Sequence, residues 1–443
     1  MLLRRLFILL IAIGGAYVLH TLTPTFPPHA QMVLSIAFFA LVFWISEIIP
    51  LHITALLVGF LLILLVPYPA EKVFPAYFDK VVVLVLGGFA LAVAMHKHRL
   101  DEYLSHKLLG KFAHSPNILV LGALSVTAAI SLWIANSAAA ALAMPLVLVI
   151  LKMNHRKQGE STFAKAIVIA VAYGATIGGM GTLIGSTPNV LAQKFLTNEG
   201  ISYGFIEWGM RAFPFTVIMV LVTWMILLFV FRPEPFKIIM KKHDQPFTRE
   251  QWMVAGIFLL TVLLWITESI HGVSNSVIAL MPVVLLSILG LIKGNDFKEM
   301  GWDSLILIGG GIALGMAIET SGLSTILAQT LSTVWENQPY VVVLGGIGLV
   351  GVLLTSFISN TAASAVFLPV IASLATVLGV NVTNLVTATA LGVSLDFILP
   401  MGTPPTTIAY STKYIHTKDL LKSGILVSLA GIILLAILAY FTW

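Results

Sequence analysis

The sequence predicts an all-α membrane protein of about 11 transmembrane helices plus two re-entrant hairpins, arranged as two inverted-topology repeats. Three observations carry this. The 443 residues are 58% hydrophobic and only 10% charged, against about 25% charged in a soluble domain. The apolar residues fall in blocks of about 20, the length that crosses a bilayer. Five small or polar landmarks also occur twice, in the same order.

The chain has no Cys, which excludes disulfides and thiolate metal sites. The net charge of +5 comes from Lys and Arg between apolar blocks, a pattern of membrane topology and not of nucleic-acid binding.

Spans are expected near 6–20, 31–49, 53–67, 81–95, 163–193, 212–231, 252–270, 275–292, 304–319, 384–412 and 421–441. Arg4 and Arg5 before the first block resemble a signal peptide. No small-residue cleavage site precedes 21–28, so the block reads as a retained span. Two stretches, 117–150 and 340–374, are too long for one span. Each breaks at a polar cluster, Ala135-Asn136-Ser137 and Ser359-Asn360-Thr361. Both read as hairpins that enter and leave on one side. The domains that follow are an N-terminal helix (1–30), a first repeat (31–231), a cytoplasmic connector (232–251) and a second repeat (252–443).

Lys and Arg orient this layout. With the N-terminus in the cytoplasm, Lys152, Arg156 and Lys157 fall inside, with the connector residues Arg232, Lys237, Lys241, Lys242 and Arg249. Lys293, Lys298, Lys413, Lys418 and Lys422 also fall inside, and the C-terminus outside. The outer segments 320–340 and 374–384 contain no Lys or Arg. Lys72, Lys80, Lys194 and Arg211 fall outside, against the rule. The segment 99–112, with Leu100, Leu104, Leu108 and Phe112 at four-residue spacing among charges, reads as an amphipathic interfacial helix.

The repeat is read from paired landmarks. Trp44-Ile45-Ser46-Glu47 recurs as Trp265-Ile266-Thr267-Glu268, and Leu86-Gly87-Gly88 as Ile308-Gly309-Gly310. Trp133-Ile134-Ala135-Asn136-Ser137 recurs as Phe357-Ile358-Ser359-Asn360-Thr361, and Pro145 as Pro369. Ile184-Gly185-Ser186-Thr187-Pro188 recurs as Met401-Gly402-Thr403-Pro404-Pro405. The offsets run from 217 (402 minus 185) to 224 (360 minus 136). Each half has five spans plus a hairpin, so the second enters the membrane inverted. Paired broken helices in inverted repeats mark the binding site of a secondary transporter.

The breaks have usable chemistry. Each returning half-helix starts at Asn, Ser or Thr, residues that favour helix N-termini. Such a terminus presents free N–H groups and partial positive charge to a carboxylate. Ser131 and Thr355 stand five residues before the two Asn and offer hydroxyl oxygens to a small cation. Gly and Pro at 185–188 and 402–405 unwind a span and free its carbonyls. Two such cups match a ligand with two carboxylates. Between Lys298 and Lys413 there is no Lys, Arg or His, and no Lys or Arg between Lys111 and Lys152 or between Lys165 and Lys194. Helix termini and bound cations are left to neutralise an anion.

Plainer readings compete. An Asn in an apolar helix is often interhelical glue; two at matched positions, each with a Gly/Pro break, favour a site. Glu47 and Glu268 sit at span ends as caps or interfacial pairs. Asp396 either pairs with a donor freed by Pro400 or serves the second cation site or a proton.

These residues resemble the divalent anion:sodium symporter family, the dicarboxylate and citrate carriers, over nearly the whole chain. The resemblance rests on Trp44, Glu47 and Pro50, the Gly-Gly spans, the paired tips and the paired Gly-x-x-Pro breaks. It implies one sodium site from Ser131, Asn136, Gly185 and the Ile134 carbonyl, and another from Thr355, Asn360, Gly402 and the Ile358 carbonyl. Substrate carboxylates would meet Asn136, Ser137, Asn360 and Thr361, with Ser359 in the same substrate site and Thr403 and Pro404 lining the pocket. The family pattern at both tips is Ser-Asn-Thr; residues 359–361 match it, while residues 135–137 read Ala-Asn-Ser. The resemblance further implies a homodimer in the inner membrane and an elevator-type motion. The expectation is sodium-coupled transport of a small dicarboxylate of the succinate, malate, fumarate or 2-oxoglutarate class. A sodium-independent exchanger and a carrier of another oxyanion are the alternatives. The sequence contains no Gly-x-Ser-Gly with a His, no His-Glu-x-x-His and no paired Asp in adjacent spans, so no enzyme is expected.

Overall fold

The computed structural model describes residues 2–239, 246–356, 358–400 and 402–443. Lys241, Lys242, Phe357 and Met401, which entered the topology and repeat readings, lie outside these. Every regular element among the described residues is helical. Ten of those helices are long and apolar enough to cross a membrane, joined by shorter apolar helices that include Pro116–Ser131, Tyr340–Thr355 and Val382–Gly392.

Several boundaries differ from expectation for identifiable reasons. The helix Arg249–Ile266 starts inside the expected connector, because Thr248 and Gln251 form a capping box. Pro28 opens the second helix, Pro28–Ser46, ahead of residue 31, since Pro suits the first helical turn. The expected span 275–292 divides at Ala279 into Asn275–Ile278 and Leu280–Ile288. Residues 320–340, expected as an outer connection, contain the helix Leu323–Trp335. The segment 99–112 does form a helix, Leu100–Lys111, with Leu100 and Leu109 buried.

The centre of the molecule is the helix Thr162–Met180, apolar around its whole circumference and 94% buried. It packs along Pro116–Ser131. A Cβ on Gly174 or Gly178 would strike the Leu124 or Ala128 backbone. Small residues at such contacts are how membrane helices gain close packing.

The Gly-Gly landmarks act alike across the two halves. Gly87 lies against Ala279, and Gly310 against Ala55; the two alanines are 224 residues apart (279 minus 55). Trp44 donates its indole N–H to Leu51 O at 3.3 Å, and Trp265 donates to Asn275 O at 3.0 Å. Each half therefore places its glycine on the other half's alanine, and each tryptophan pins the start of the next helix.

The hydrophilic ends form separate sets. On one side, Glu234 accepts from Ser161, Thr162 and the Phe163 N–H, and lies 3.4 Å from Arg156 Nη1. Asn154 exchanges two 2.8 Å hydrogen bonds with Ile239, so the connector docks on the loop after the first hairpin. Gln158 and Lys165 extend this set to Thr412 and Asp419. Another set joins Lys194 to Asp79 at 2.7 Å, Asn198 to Glu319, and Tyr68 to Thr320. Partial burial raises the Glu234 carboxyl, but its hydrogen bonds outweigh this and hold it at about 2. Between these ends, large apolar side chains face outward, as in Phe213, Val217, Leu221, Met225 and Phe229 at four-residue spacing. On a helix that is a lipid-facing stripe.

Two spans are broken, Thr162–Met180 into Thr187–Asn198 and Val382–Gly392 into Pro404–Ser411. The freed carbonyls are met by side chains. Asn189 Nδ2 donates to Gly179 O at 2.8 Å and to Thr182 O at 2.7 Å, and Trp208 Nε1 to Met180 O at 2.9 Å. In the second break, Tyr173 Oη donates to Phe397 O at 3.0 Å and Ser428 Oγ to Leu395 O at 2.7 Å. Irregular backbone at membrane depth survives only with such partners.

Asn189→Leu is expected to remove the side-chain donor from Gly179 O and to leave Thr182 O with only the Gly185 N–H at 3.3 Å, at a cost of about 1–3 kcal/mol, and so to lower the melting temperature of the purified protein. Gly87→Val and Gly310→Val are expected to destabilise by about 1–3 kcal/mol through overpacking, while Gly256→Val, at a position with nothing within 4 Å of its Cβ, leaves the melting temperature nearly unchanged. Equal melting of all four variants would remove the role assigned to these contacts. The Glu234 carboxyl is depressed in the folded state, so its contribution is present above the ordinary carboxylate range and is lost as pH falls from there towards 2. Proteolysis of the connector is therefore expected to be constant from pH 8 to 5 and to rise below that range in acid-tolerant digestion.

Candidate functional site

Both tips and both breaks open on one cavity of about 510 Å³. The first tip is the turn 132–135 between Pro116–Ser131 and Asn136–Met153. The second is the turn between Tyr340–Thr355 and Asn360–Leu378. Six helices begin at or beside the cavity wall among the described residues: Leu51–Leu65 and Trp302–Thr320, and four that start at the tips and breaks, at Asn136, Thr187, Asn360 and Pro404. Each offers backbone N–H groups and the positive end of its dipole. Among the described residues no Lys or Arg lines this space. Helix N-termini therefore supply positive potential at this wall, which also carries His52 and the Asp303 carboxylate.

The four termini are capped differently. Ser359 accepts from the Ala362 N–H at 3.2 Å, and Thr403 accepts from the Thr406 N–H at 3.4 Å. Ala135 has no side chain to do this, and Ser186 makes no cap hydrogen bond. The first half thus leaves more donors open to the cavity. Thr187 and Thr361 share a hydrogen bond between their hydroxyls, which ties the first break to the second tip.

The sequence-derived substrate residues Asn136, Ser137, Ser359, Asn360, Thr361, Thr403 and Pro404 all border this cavity. The cation residues separate into two cases. At the first tip, Ser131 Oγ lies 2.6 Å from Ala175 O. The Asn136 carboxamide faces Ser131 Oγ at 3.0 Å, Ala175 O at 3.3 Å and Gly185 O at 3.2 Å when its nitrogen is turned towards them. In that orientation the amide serves all three oxygens; with its oxygen turned inward instead, four oxygens converge with the Ser131 hydroxyl as their one side-chain donor, an arrangement a small hard cation stabilises. Ile134 is buried in the adjoining turn.

At the second tip, Thr355 is buried and its hydroxyl donates back to Gly351 O at 3.0 Å and Val352 O at 3.2 Å. Among the described residues no hydrogen bond joins it to Asn360, whose Oδ1 is buried and unpaired. Gly402 lies against the carboxylate of Asp396. Ile358 is buried beside Ala363 and Val393.

Sequence reasoning missed three groups. The Ala175 carbonyl is donated by a regular helix and no residue type marks it. His52 and Asp303 line the cavity from the starts of Leu51–Leu65 and Trp302–Thr320. His52 follows the Trp44–Pro50 motif by two residues, and that proximity was the available signal.

A family model described as "Sodium:sulfate symporter transmembrane region" matches residues 2–443. An uncharacterized transporter of Haemophilus influenzae is 29% identical over 94% of this chain and 93% of its own. The sodium-dependent dicarboxylate transporter SdcS of Staphylococcus aureus is 30% identical over 94% of this chain and 86% of its own. In fold, the chain is similar to the YdaH transporter of Alcanivorax borkumensis (TM-score 0.61, 15% identity, 84% of this chain and 87% of that one). It is also similar to MtrF of Neisseria gonorrhoeae (TM-score 0.59, 15% identity, 86% and 85%). A helical membrane chain matched from residue 2 to residue 443 belongs to the sodium:sulfate symporter family, the divalent anion:sodium symporters, and is a transporter.

Proposed function

We propose that the chain is a sodium-coupled carrier of small dicarboxylates, with the cavity between the tips as its substrate site. The observation that carries this is the convergence of four helix N-termini on a space that no Lys or Arg lines among the described residues. A dianion there is held by N–H groups and hydroxyls, and its remaining charge is offset by cations at the tips. Each carboxylate takes one tip, Asn136 and Ser137 on one side and Ser359, Asn360 and Thr361 on the other, with Thr403 and Pro404 closing the wall. Sodium takes the Ser131, Ile134, Asn136 and Gly185 oxygens at the first tip and the Thr355, Ile358, Asn360 and Gly402 region at the second. The first tip's neutral oxygen cluster, with the Ala175 carbonyl added, suits a monovalent cation. The similarity to SdcS supports both the dicarboxylate and the sodium.

On this reading the two halves, 31–231 and 252–443 with the helix of 1–30 and the connector 232–251, are inverted repeats and the tips are re-entrant. The exchanged Gly–Ala contacts and matched Trp hydrogen bonds support that symmetry. Elevator motion, a homodimer in the plasma membrane and a cytoplasmic N-terminus with the C-terminus outside belong to the same proposal. Exchange without sodium is the second reading. It draws on Ala135, which leaves the first tip without a hydroxyl that the second has in Ser359.

In proteoliposomes, an inward sodium gradient alone is expected to drive concentrative succinate uptake into empty vesicles. Release of preloaded label only by external dicarboxylate, whatever the sodium, would instead establish the exchanger. Asn136→Ala and Asn360→Ala are each expected to reduce uptake to background without loss of folded protein; retained uptake in both would make the tips packing elements. For topology, Cys introduced at Lys237 is expected to escape impermeant maleimide in intact cells, while Cys at Lys80 reacts. The reverse pattern would invert the layout.

A further inference from the structure

Asp396 lies in the unwound segment between Val382–Gly392 and Pro404–Ser411 and is 0% exposed. Among the described residues neither of its carboxylate oxygens has a hydrogen-bond partner. The Ser356 hydroxyl, at the end of the descending helix Tyr340–Thr355, and the Ile398 N–H face it without hydrogen-bonding geometry. The carboxylate rests on Gly402, where an added Cβ would collide with both oxygens. Asn360 Oδ1 at the same tip is also buried and unpaired.

The first half shows what this position does. The spacing that relates Gly402 to Gly185 relates Asp396 to Gly179 (396 minus 217). A Cβ on Gly179 would meet Asn136 Oδ1 and Gly185 O, members of the first oxygen cluster. Residue 179 thus borders that cluster without a side chain, whereas residue 396 brings a carboxylate to the matching place. Between Lys298 and Lys413 there is no Lys, Arg or His to compensate it. An ionised carboxylate without a counter-charge is heavily disfavoured in so buried a place.

Resting on the reading that the tips bind a coupling cation, we propose that Asp396 is a ligand of the cation at the second tip. The second site is then anionic where the first, built from Ser131, Asn136, Ala175 and Gly185, is neutral. The two sites consequently differ in role. Sodium at the second site neutralises protein charge and has the stronger hold. Sodium at the first offsets the substrate. An empty second site leaves a carboxylate beside the substrate cup and repels a dianion, so that cation must bind before the substrate.

The test uses full-length purified protein, its melting temperature measured in sodium chloride against equal choline chloride, with no dicarboxylate present. Asn136→Ala is expected to retain a sodium-dependent rise, and adding Asp396→Asn is expected to abolish it. Asp396→Asn alone should raise the half-saturating sodium concentration at least about tenfold, a loss of about 1.4 kcal/mol of binding. Asp396→Gly, which installs the residue found at position 179, should do the same. Sodium titrations of both variants that match the wild type overturn the proposal. So does failure of both to fold in choline, which makes Asp396 a structural group. If the wild type gains nothing from sodium, the coupled-cation reading falls with it. Normal sodium shifts without succinate uptake count against the dicarboxylate reading alone.

Discussion

A backbone group freed at membrane depth must find a partner, and this constraint organises the molecule. Gly and Pro interrupt two spans and leave carbonyls with no helical donor. Asn189 and Trp208 answer three of them in the first half; Tyr173 and Ser428 answer two in the second. Asn189 belongs to the broken span itself, whereas Trp208, Tyr173 and Ser428 come from other helices, so the breaks are held by local sequence and by the packed bundle together. The central helix Thr162–Met180 contributes both Tyr173 and the start of the first break, which explains its burial.

What remains unanswered by protein marks the site. N–H groups at four helix starts and oxygens at two tips face a common cavity. The bundle satisfies the carbonyls that would otherwise cost stability and leaves those that can hold a ligand. Helix termini suit this use because their charge is fixed in direction and carries no flexible side chain to desolvate. A cavity made this way binds an anion without a permanent countercharge. On the proposed function, binding then depends on cations arriving with the anion, which would link substrate affinity to an ion gradient.

The halves are alike in contacts and unlike in charge. Gly87 on Ala279 and Gly310 on Ala55 are similar contacts made across the halves, one residue out of the landmark register, in which Gly87 stands opposite Gly309. Ala135 opposite Ser359, and Gly179 opposite Asp396, are departures at the same pseudo-symmetric places. If the halves are repeats, as proposed, duplication would supply two equivalent cups that single substitutions then differentiate. Electrostatics amplifies each substitution, because one carboxylate in an apolar surround outweighs several neutral oxygens.

Much was determined by the sequence alone. Apolar blocks and the Lys/Arg pattern implied the membrane class, because bilayer thickness and backbone hydrogen bonding leave few alternatives, and the landmarks paired at 217–224 residues are the basis on which a repeat and a site at the breaks are proposed. The tips and breaks were legible since Asn, Ser, Gly and Pro are conspicuous in apolar helices. Tertiary structure decided the rest. The Ala175 carbonyl is a backbone atom, and no residue type announces it. Asn189 and Trp208 find their carbonyls across turns and between helices, so their role needs coordinates. The helix Leu323–Trp335, within the segment expected as a connection, carries Ser, Thr and Gln at Ser324, Thr325, Gln329, Thr330, Ser332 and Thr333 and has 13 residues, too few to cross a bilayer. Asp396 was visible as an anomaly, but its place against Gly402 depends on how two distant segments pack. Side-chain type is written in one dimension, whereas the direction in which a buried oxygen points is set only when the helices close around it.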